Sequence, residues 1–416
     1  MTLMDKNKLH FGWIVIFTGL LVTIGAHGFG RMSYTLILPA MKDGLSLNYA
    51  QLGLLGTGNF IGYLVMALIG GFLAARFGTR IVIALALVLM GTTMILTGLA
   101  QGFVGALAMR FLTGLGNGAA YVPAMALASA WFAASRRGFA TGIVSAGIGG
   151  GTMIAGLVVP AILGLSGQDG WRLTWYCLGF FVLIIAAVAG LLIRSRPEEL
   201  NLRQIGATGD DGPKSRPGTS SLDWGRVYRV KAVWCLGLVY FMYGFSYIIY
   251  MTFFAAYLVK EMGLKAAQAG QLWALVGGLS IFCGVIWGGI SDRLGRGRGA
   301  ALAYVGLGLA YLIMALAKSE TGFCLSAVVF GLTAWSIPTI MAAAAGDHVG
   351  PQLAPAGLGF ITLFFGIGQA LGPYVGGFLA DKTHTFTWPL GLACSVSWLG
   401  AGLALGLLRP RISDQA

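Results

Sequence analysis

Arg31 lies in the stretch Gly25-Ala26-His27-Gly28-Phe29-Gly30-Arg31, deep inside a long apolar run. A guanidinium at the middle of a bilayer costs roughly 2.5–3.5 kcal/mol on insertion scales, so it faces a cavity or a partner. All 14 Asp and Glu residues fall in loops or at the ends of apolar runs. Arg31 therefore has no carboxylate to meet in its own layer, which suits it to a bound anion; backbone carbonyls or tyrosine hydroxyls are the alternative partners. His27 precedes it by one helical turn, and i,i+4 spacing places both on one face. An imidazole titrates near neutral pH and can carry a coupling proton; a packing histidine is the plainer reading.

A second run carries Arg110, Asn117 and Tyr121, with Arg110 and Asn117 at i,i+7 on one face. Arg110 is a candidate for direct contact with a substrate or for a structural role. Asn117 and Tyr121 are candidates for hydrogen bonds to a substrate, and Asn117 equally for interhelical glue. Tyr243, Tyr247 and Tyr250 follow i, i+4, i+7 and offer one face of rings and hydroxyls. Tyr34 and Gln369, the latter inside Gly366-Ile367-Gly368-Gln369-Ala370-Leu371-Gly372-Pro373, complete the substrate-contacting set; Asn59 is a lesser member. Asp292, Arg293, Arg296, Asp347 and the pair Arg136-Arg137 stand at the ends of apolar runs, where they read as ion-pair partners or as solvated loop charge. No nucleophile–base pair, metal-ligand cluster or phosphate loop occurs, so neither an enzyme nor a cofactor or metal site is expected. Cys177, Cys235, Cys283, Cys324 and Cys394 lie in apolar runs without C-x-x-C spacing and read as packing residues.

The elements that must position these side chains are membrane helices. Of 416 residues, 57% are apolar and 10% charged, against about 25% charged in soluble domains. A crossing helix needs roughly 20 apolar residues. Twelve runs qualify: 11–40, 48–75, 79–100, 103–132, 138–166, 171–194, 230–259, 267–291, 299–317, 321–345, 357–380 and 388–408. With the N-terminus in the cytoplasm, nineteen of the 27 Lys and Arg fall inside, six outside, and Arg31 and Arg110 within spans. That bias fits both termini in the cytoplasm and accounts for the net charge of +13 without nucleic acid. Residues 197–229, including Gly209-Asp210-Asp211-Gly212-Pro213, read as a flexible linker between six-span halves at 1–196 and 230–416.

The halves are related. Gly28-Phe29 with Tyr34 recurs as Gly244-Phe245 with Tyr250, Gly70-Gly71 as Gly288-Gly289, and Gly147-Ile148-Gly149 as Gly366-Ile367-Gly368, at nearly constant offset. Three ordered matches argue for duplication of a six-span unit.

With these features the chain resembles the major facilitator superfamily over its whole length. Gly288-Gly289-Ile290-Ser291-Asp292-Arg293-Leu294-Gly295-Arg296 is similar to that family's loop signature, although the first-half copy has Ala75 where an acid is expected. Arg110 with Gly114, Gly116 and Gly118, and Gly170-Trp171-Arg172, also resemble it; the resemblance implies a structural or proton-coupling role for Arg110 and a cytoplasmic gate built from Asp292, Arg293, Arg296, Asp347, Arg136 and Arg137. Gly12-Trp13 with Gly28-Phe29-Gly30-Arg31, and Trp131 through Gly142, resemble the monocarboxylate porters and the YbfB-like facilitators. The acid and arginine of the porters' eighth span have no counterpart between Ala266 and Ser291. The resemblance implies an all-α membrane protein: twelve transmembrane helices in two pseudo-symmetric six-helix bundles around one cavity. It implies a monomeric transporter of the inner (plasma) membrane, moving a small organic anion, a mono- or dicarboxylate, with a proton by alternating access. Proton-driven efflux of an amphiphilic compound is the alternative.

Overall fold

The computed structural model describes residues 10–207, 229–349 and 353–407. Lys6, Lys8, Arg409, Arg411 and the Gly209 to Gly218 part of the linker lie outside the described residues.

Twelve long helices form, each close to its expected run. They are α1 (Phe11–Gly44), α2 (Tyr49–Phe77), α3 (Thr79–Gly98), α4 (Phe103–Trp131), α5 (Ala134–Leu165) and α6 (Gly170–Leu192) in the first half. The second half contains α7 (Lys231–Glu261), α8 (Ala266–Leu294), α9 (Arg296–Leu316), α10 (Glu320–Val349), α11 (Ala354–Thr383) and α12 (Thr387–Leu407). Eleven of these meet the length and hydropathy of a membrane span. The other, α4, is 29 residues long but carries Arg110 and Asn117 along its length. Large apolar side chains such as Val104, Phe72 and Phe180 point outward, as a lipid-facing surface requires. This is a multi-pass helical membrane protein.

Local signals set the boundaries. Asn48 and Gln51 form a reciprocal capping box that starts α2. Gly78 after α2 and Gly295 after α8 share φ of +88° and +87° with extended ψ, a conformation nearly confined to glycine. The repeat is thus visible in the backbone as well as in the letters. Alanine at either position should cost roughly 1–3 kcal/mol. We expect Gly78→Ala and Gly295→Ala each to lower the melting temperature in detergent, whereas Gly105→Ala, where a Cβ meets open space, should not. Equal tolerance at all three positions would contradict the strain argument.

Two helices depart from the regular pattern. Residues 24–32 of α1 widen into a π-helical turn, with Ser33 N–H donating to Gly28 O at 3.0 Å. His27 and Arg31 sit on this turn, so the i,i+4 reasoning from a regular helix needs correction there. Gly28 makes the turn possible next to α5, because a Cβ on it would meet the backbone of Gly151 well inside normal contact distance. Helix α10 breaks at Ala334–Trp335, just before Pro338, which has no N–H to continue the ladder.

The expected linker is not flexible from its start. Ile205 exchanges backbone hydrogen bonds with Trp131 and Ala133 at 2.9 and 3.0 Å, docking residues up to Ala207 on the α4–α5 corner. Its apolar side chain packs there against the Gly12 region of α1.

The bundles meet along α2–α11 and α5–α8, with the second half of α1 against α7. All these contacts lie toward the face opposite the linker. Thr35 donates to Thr252 O (3.0 Å), Thr57 to Ala370 O (2.7 Å) and Trp273 to Met32 O (3.2 Å). At the rim, the Asp381 carboxylate at the end of α11 accepts from Tyr49 N–H and Ala50 N–H at the start of α2 (3.0 and 2.8 Å). Lys260 of α7 pairs with Asp43 of α1. The molecule is closed on this face.

Candidate functional site

Between the bundles a cavity of about 860 Å³ opens toward the linker face, lined there by Phe139 of α5, Phe282 and Val285 of α8 and Thr339 of α10. Its inner end is polar. The volume lies in the range of small-molecule sites, a few polar groups in an apolar and aromatic wall.

Arg31 is half-buried at that end and lies over the rings of Phe60 and Tyr63, at 5.0 and 5.7 Å from their centroids. One of its N–H groups donates to Gln369 Oε1, and Gln369 in turn donates to the Tyr247 hydroxyl. This chain of three residues joins α1 of one bundle to α11 and α7 of the other. No salt bridge holds Arg31 among the described residues, and no Asp or Glu lines the cavity. His27 also lines it; its ring packs on Tyr121 (4.2 Å between centroids) and edge-on to Tyr63, and its Nδ1 has no hydrogen-bond partner among the described residues. Arg31, His27, Tyr121, Tyr247 and Gln369 are thus brought together around one cavity.

The other candidates sit elsewhere. Asn117 is fully buried and donates to Ala26 O at 2.7 Å, binding α4 to α1 beside the widened turn; it does not line the cavity. Tyr243 donates its hydroxyl to Ala334 O, capping the break in α10, and stacks on Tyr247 with centroids 4.5 Å apart. Tyr34 donates to Leu52 O (2.7 Å), and its repeat partner Tyr250 bonds Ser326 (2.9 Å). The hydroxyls on one face of α7 thus have three different uses: Tyr243 satisfies a carbonyl freed by the break in α10, Tyr247 accepts from Gln369, and Tyr250 bonds another side chain. Arg110 is 1% exposed, donates to Gly30 O at 2.9 Å and lies over Tyr34 and Trp175. It stands about two turns from the closed end of α4, beyond Arg31.

On the linker face Arg296 pairs with Asp292 and, at 2.9 Å, with Asp347. All three belong to the second bundle, so this network knits α8, α9 and α10 together rather than bridging the halves. Arg293, Arg136 and Arg137 form no salt bridge among the described residues. The face they occupy is open.

The sequence reading missed Tyr63, Trp335 and Phe365, which line the cavity, and the rim contacts of Asp381 and Asp43. Its place one helical turn after Asn59, in the middle of α2, was the available signal for Tyr63.

Twelve crossing helices in two bundles around a solute-sized cavity, open to one face, define a membrane transport protein. The family model for the Major Facilitator Superfamily matches residues 20–321 and 283–415, and the chain belongs to that superfamily. A probable sulfoacetate transporter of Cupriavidus necator is 26% identical over 395 residues, covering 89% of this chain and 88% of that protein. The hexuronate transporter of Bacillus subtilis is 25% identical over 403 residues, covering 93% and 92%. Among solved structures, a bacterial homologue of the human lysosomal transporter Spinster, inward-facing and unoccupied, matches with a TM-score of 0.76 at 19% identity, covering 97% and 95% of the two chains.

Proposed function

We propose that this protein is a secondary transporter of small organic anions, mono- or dicarboxylates, moved together with a proton by alternating access. The observation that carries the reading is Arg31: a guanidinium at the inner end of the inter-bundle cavity, with an amide and rings around it and no carboxylate beside it. Sulfoacetate and hexuronate, the compounds for which the two relatives are named, are both organic anions. His27 is the imidazole in the same cavity. A bound anion offsets the positive charge that faces His27, so anion and proton favour each other's binding, the reciprocity that coupling requires. Tyr247, Tyr121 and Gln369 orient the substrate, and the aromatic wall accommodates its apolar part.

In this proposal the linker face is cytoplasmic and the protein works as a monomer in the inner membrane. Asp292, Arg296 and Asp347, with Arg293, Arg136 and Arg137, then form the cytoplasmic rim that closes when the opposite face opens.

The test is thermal stabilisation of the detergent-purified protein by small carboxylates, sulfonates, sugars and cationic drugs at pH 5.5 and 7.5. A ligand of the folded state raises the melting temperature by about 2.7 kcal/mol of added stability at a hundredfold excess over Kd. We expect stabilisation by carboxylates or sulfonates, larger at pH 5.5. Stabilisation by neutral or cationic compounds alone would turn the reading to sugar transport or to efflux.

A further inference from the structure

The space around Arg31 does not end at the open cavity. Behind the Arg31–Gln369 pair, toward the closed face, lies a separate pocket of about 40 Å³. Both residues line both spaces, so the pair forms the wall between them. Arg110 lines the inner pocket too, with Tyr34, Asn59 and Trp273. One water needs about 10–15 Å³ of such space, so the pocket takes a few waters or one carboxylate group.

Its electrostatics are unusual for the inside of a membrane protein. Two guanidiniums face one small volume, and no Asp or Glu lines it. The Arg110 fork is only partly used: one N–H donates to Gly30 O, while Nε–H has no acceptor among the described residues although the side chain is almost wholly buried. Native proteins rarely leave a buried charged donor unmatched, because it forgoes its hydration without a replacement. A carboxylate in the pocket would supply the missing acceptor and separate the two positive charges.

We propose that this pocket is a second acidic-group subsite and that the transported species is a small dianion. One acidic group meets Arg31 at the end of the open cavity; the other lodges against Arg110 when Gln369 moves from between them. The inference rests on the anion reading above and narrows it. In a low-dielectric site a charge-assisted hydrogen bond is roughly twice as strong as a neutral one, so the second group contributes strongly to selectivity.

The experiment compares matched pairs on the purified protein: acetate with malonate, propionate with succinate, and butyrate with glutarate. At least one dianion should bind ten times or more tighter than its monoanionic partner. In Arg110→Gln that ratio should collapse toward one through loss of dianion affinity. Arg110→Lys, which keeps the charge but not the fork, should fall between; it also serves if the glutamine variant fails to fold. Monoanions binding wild type as tightly as dianions would overturn the proposal without any variant. Loss of binding in Arg31→Gln with the ratio intact in Arg110→Gln would overturn only the second subsite. Stabilisation by no anion at all, or full anion binding in Arg31→Gln, would overturn the anion reading as well.

Discussion

Replacing Arg31 with glutamine should abolish saturable anion binding while leaving the protein folded and inserted. Glutamine retains a donor for Gln369 and fills much of the same volume, so the bridge from α1 to α11 can persist in altered form. What it removes is the positive charge. Hydrogen bonds to charged groups contribute about 1.5–3 kcal/mol each, and leaving the partner charge buried and unpaired costs about 2–5 kcal/mol. At 1.4 kcal/mol per factor of ten, a loss of about 2–5 kcal/mol is roughly 30- to 4,000-fold in affinity. Arg31→Lys keeps the charge on a flexible stem and should recover part of it. The measurement is the concentration dependence of ligand-induced stabilisation, alongside a size-exclusion profile that confirms folding. Affinity within a few-fold of wild type in the glutamine variant would demote Arg31 to a structural role.

The second large effect belongs to the closed face. Gly53 of α2 lies so near α11 that an added Cβ would meet Pro373 O far inside the 3.0 Å that real Cβ contacts keep, and the obstacle is backbone. Gly377 of α11 stands in the same relation to Tyr49 O. Gly53→Ala therefore cannot be absorbed by a rotamer change; α2 and α11 must part. Parting them breaks the bonds of Tyr49 and Ala50 to Asp381, and that of Thr57 to Ala370, which hold this face together. Overpacking of this kind typically costs about 1–3 kcal/mol, enough to shift a two-state equilibrium roughly five- to 150-fold. We expect the variant to populate a state open on this face. Spin labels at Ser46 and Lys382, in a background without the five cysteines, should report a longer distance. An unchanged distance distribution with unchanged transport would show that the seam does not control this face.

The helices were legible because length and hydropathy are properties of a contiguous stretch. Even α4 was found from its run, despite Arg110 and Asn117 in its interior. Arg31 was legible for a related reason: a charge in an apolar layer stands out whatever surrounds it. The fates of Asn117, Tyr34 and Tyr243 were not, because their partners are carbonyls of Ala26, Leu52 and Ala334 on other helices or other turns. Two of those carbonyls belong to a widened turn and a helix break, which a regular periodicity does not anticipate. Asp381 was hidden in another way. At the end of a span it looked like one more loop charge, and only the approach of the α2 N-terminus from the other bundle gives it work.

The α5–α8 seam has a thermodynamic consequence of its own. Gly149 and Gly156 face Gly277 and Gly270 there, so backbone bears directly on backbone. Ordering a long side chain costs up to about 2 kcal/mol, and releasing one returns it; glycine has no such term. Two surfaces of this kind slide or part with almost no change in side-chain freedom, like a dry bearing. In the proposed alternating-access cycle, the difference in free energy between the open forms would then rest largely on polar contacts between the bundles and on an anion at Arg31, which would give the cargo a decisive share in choosing the next state.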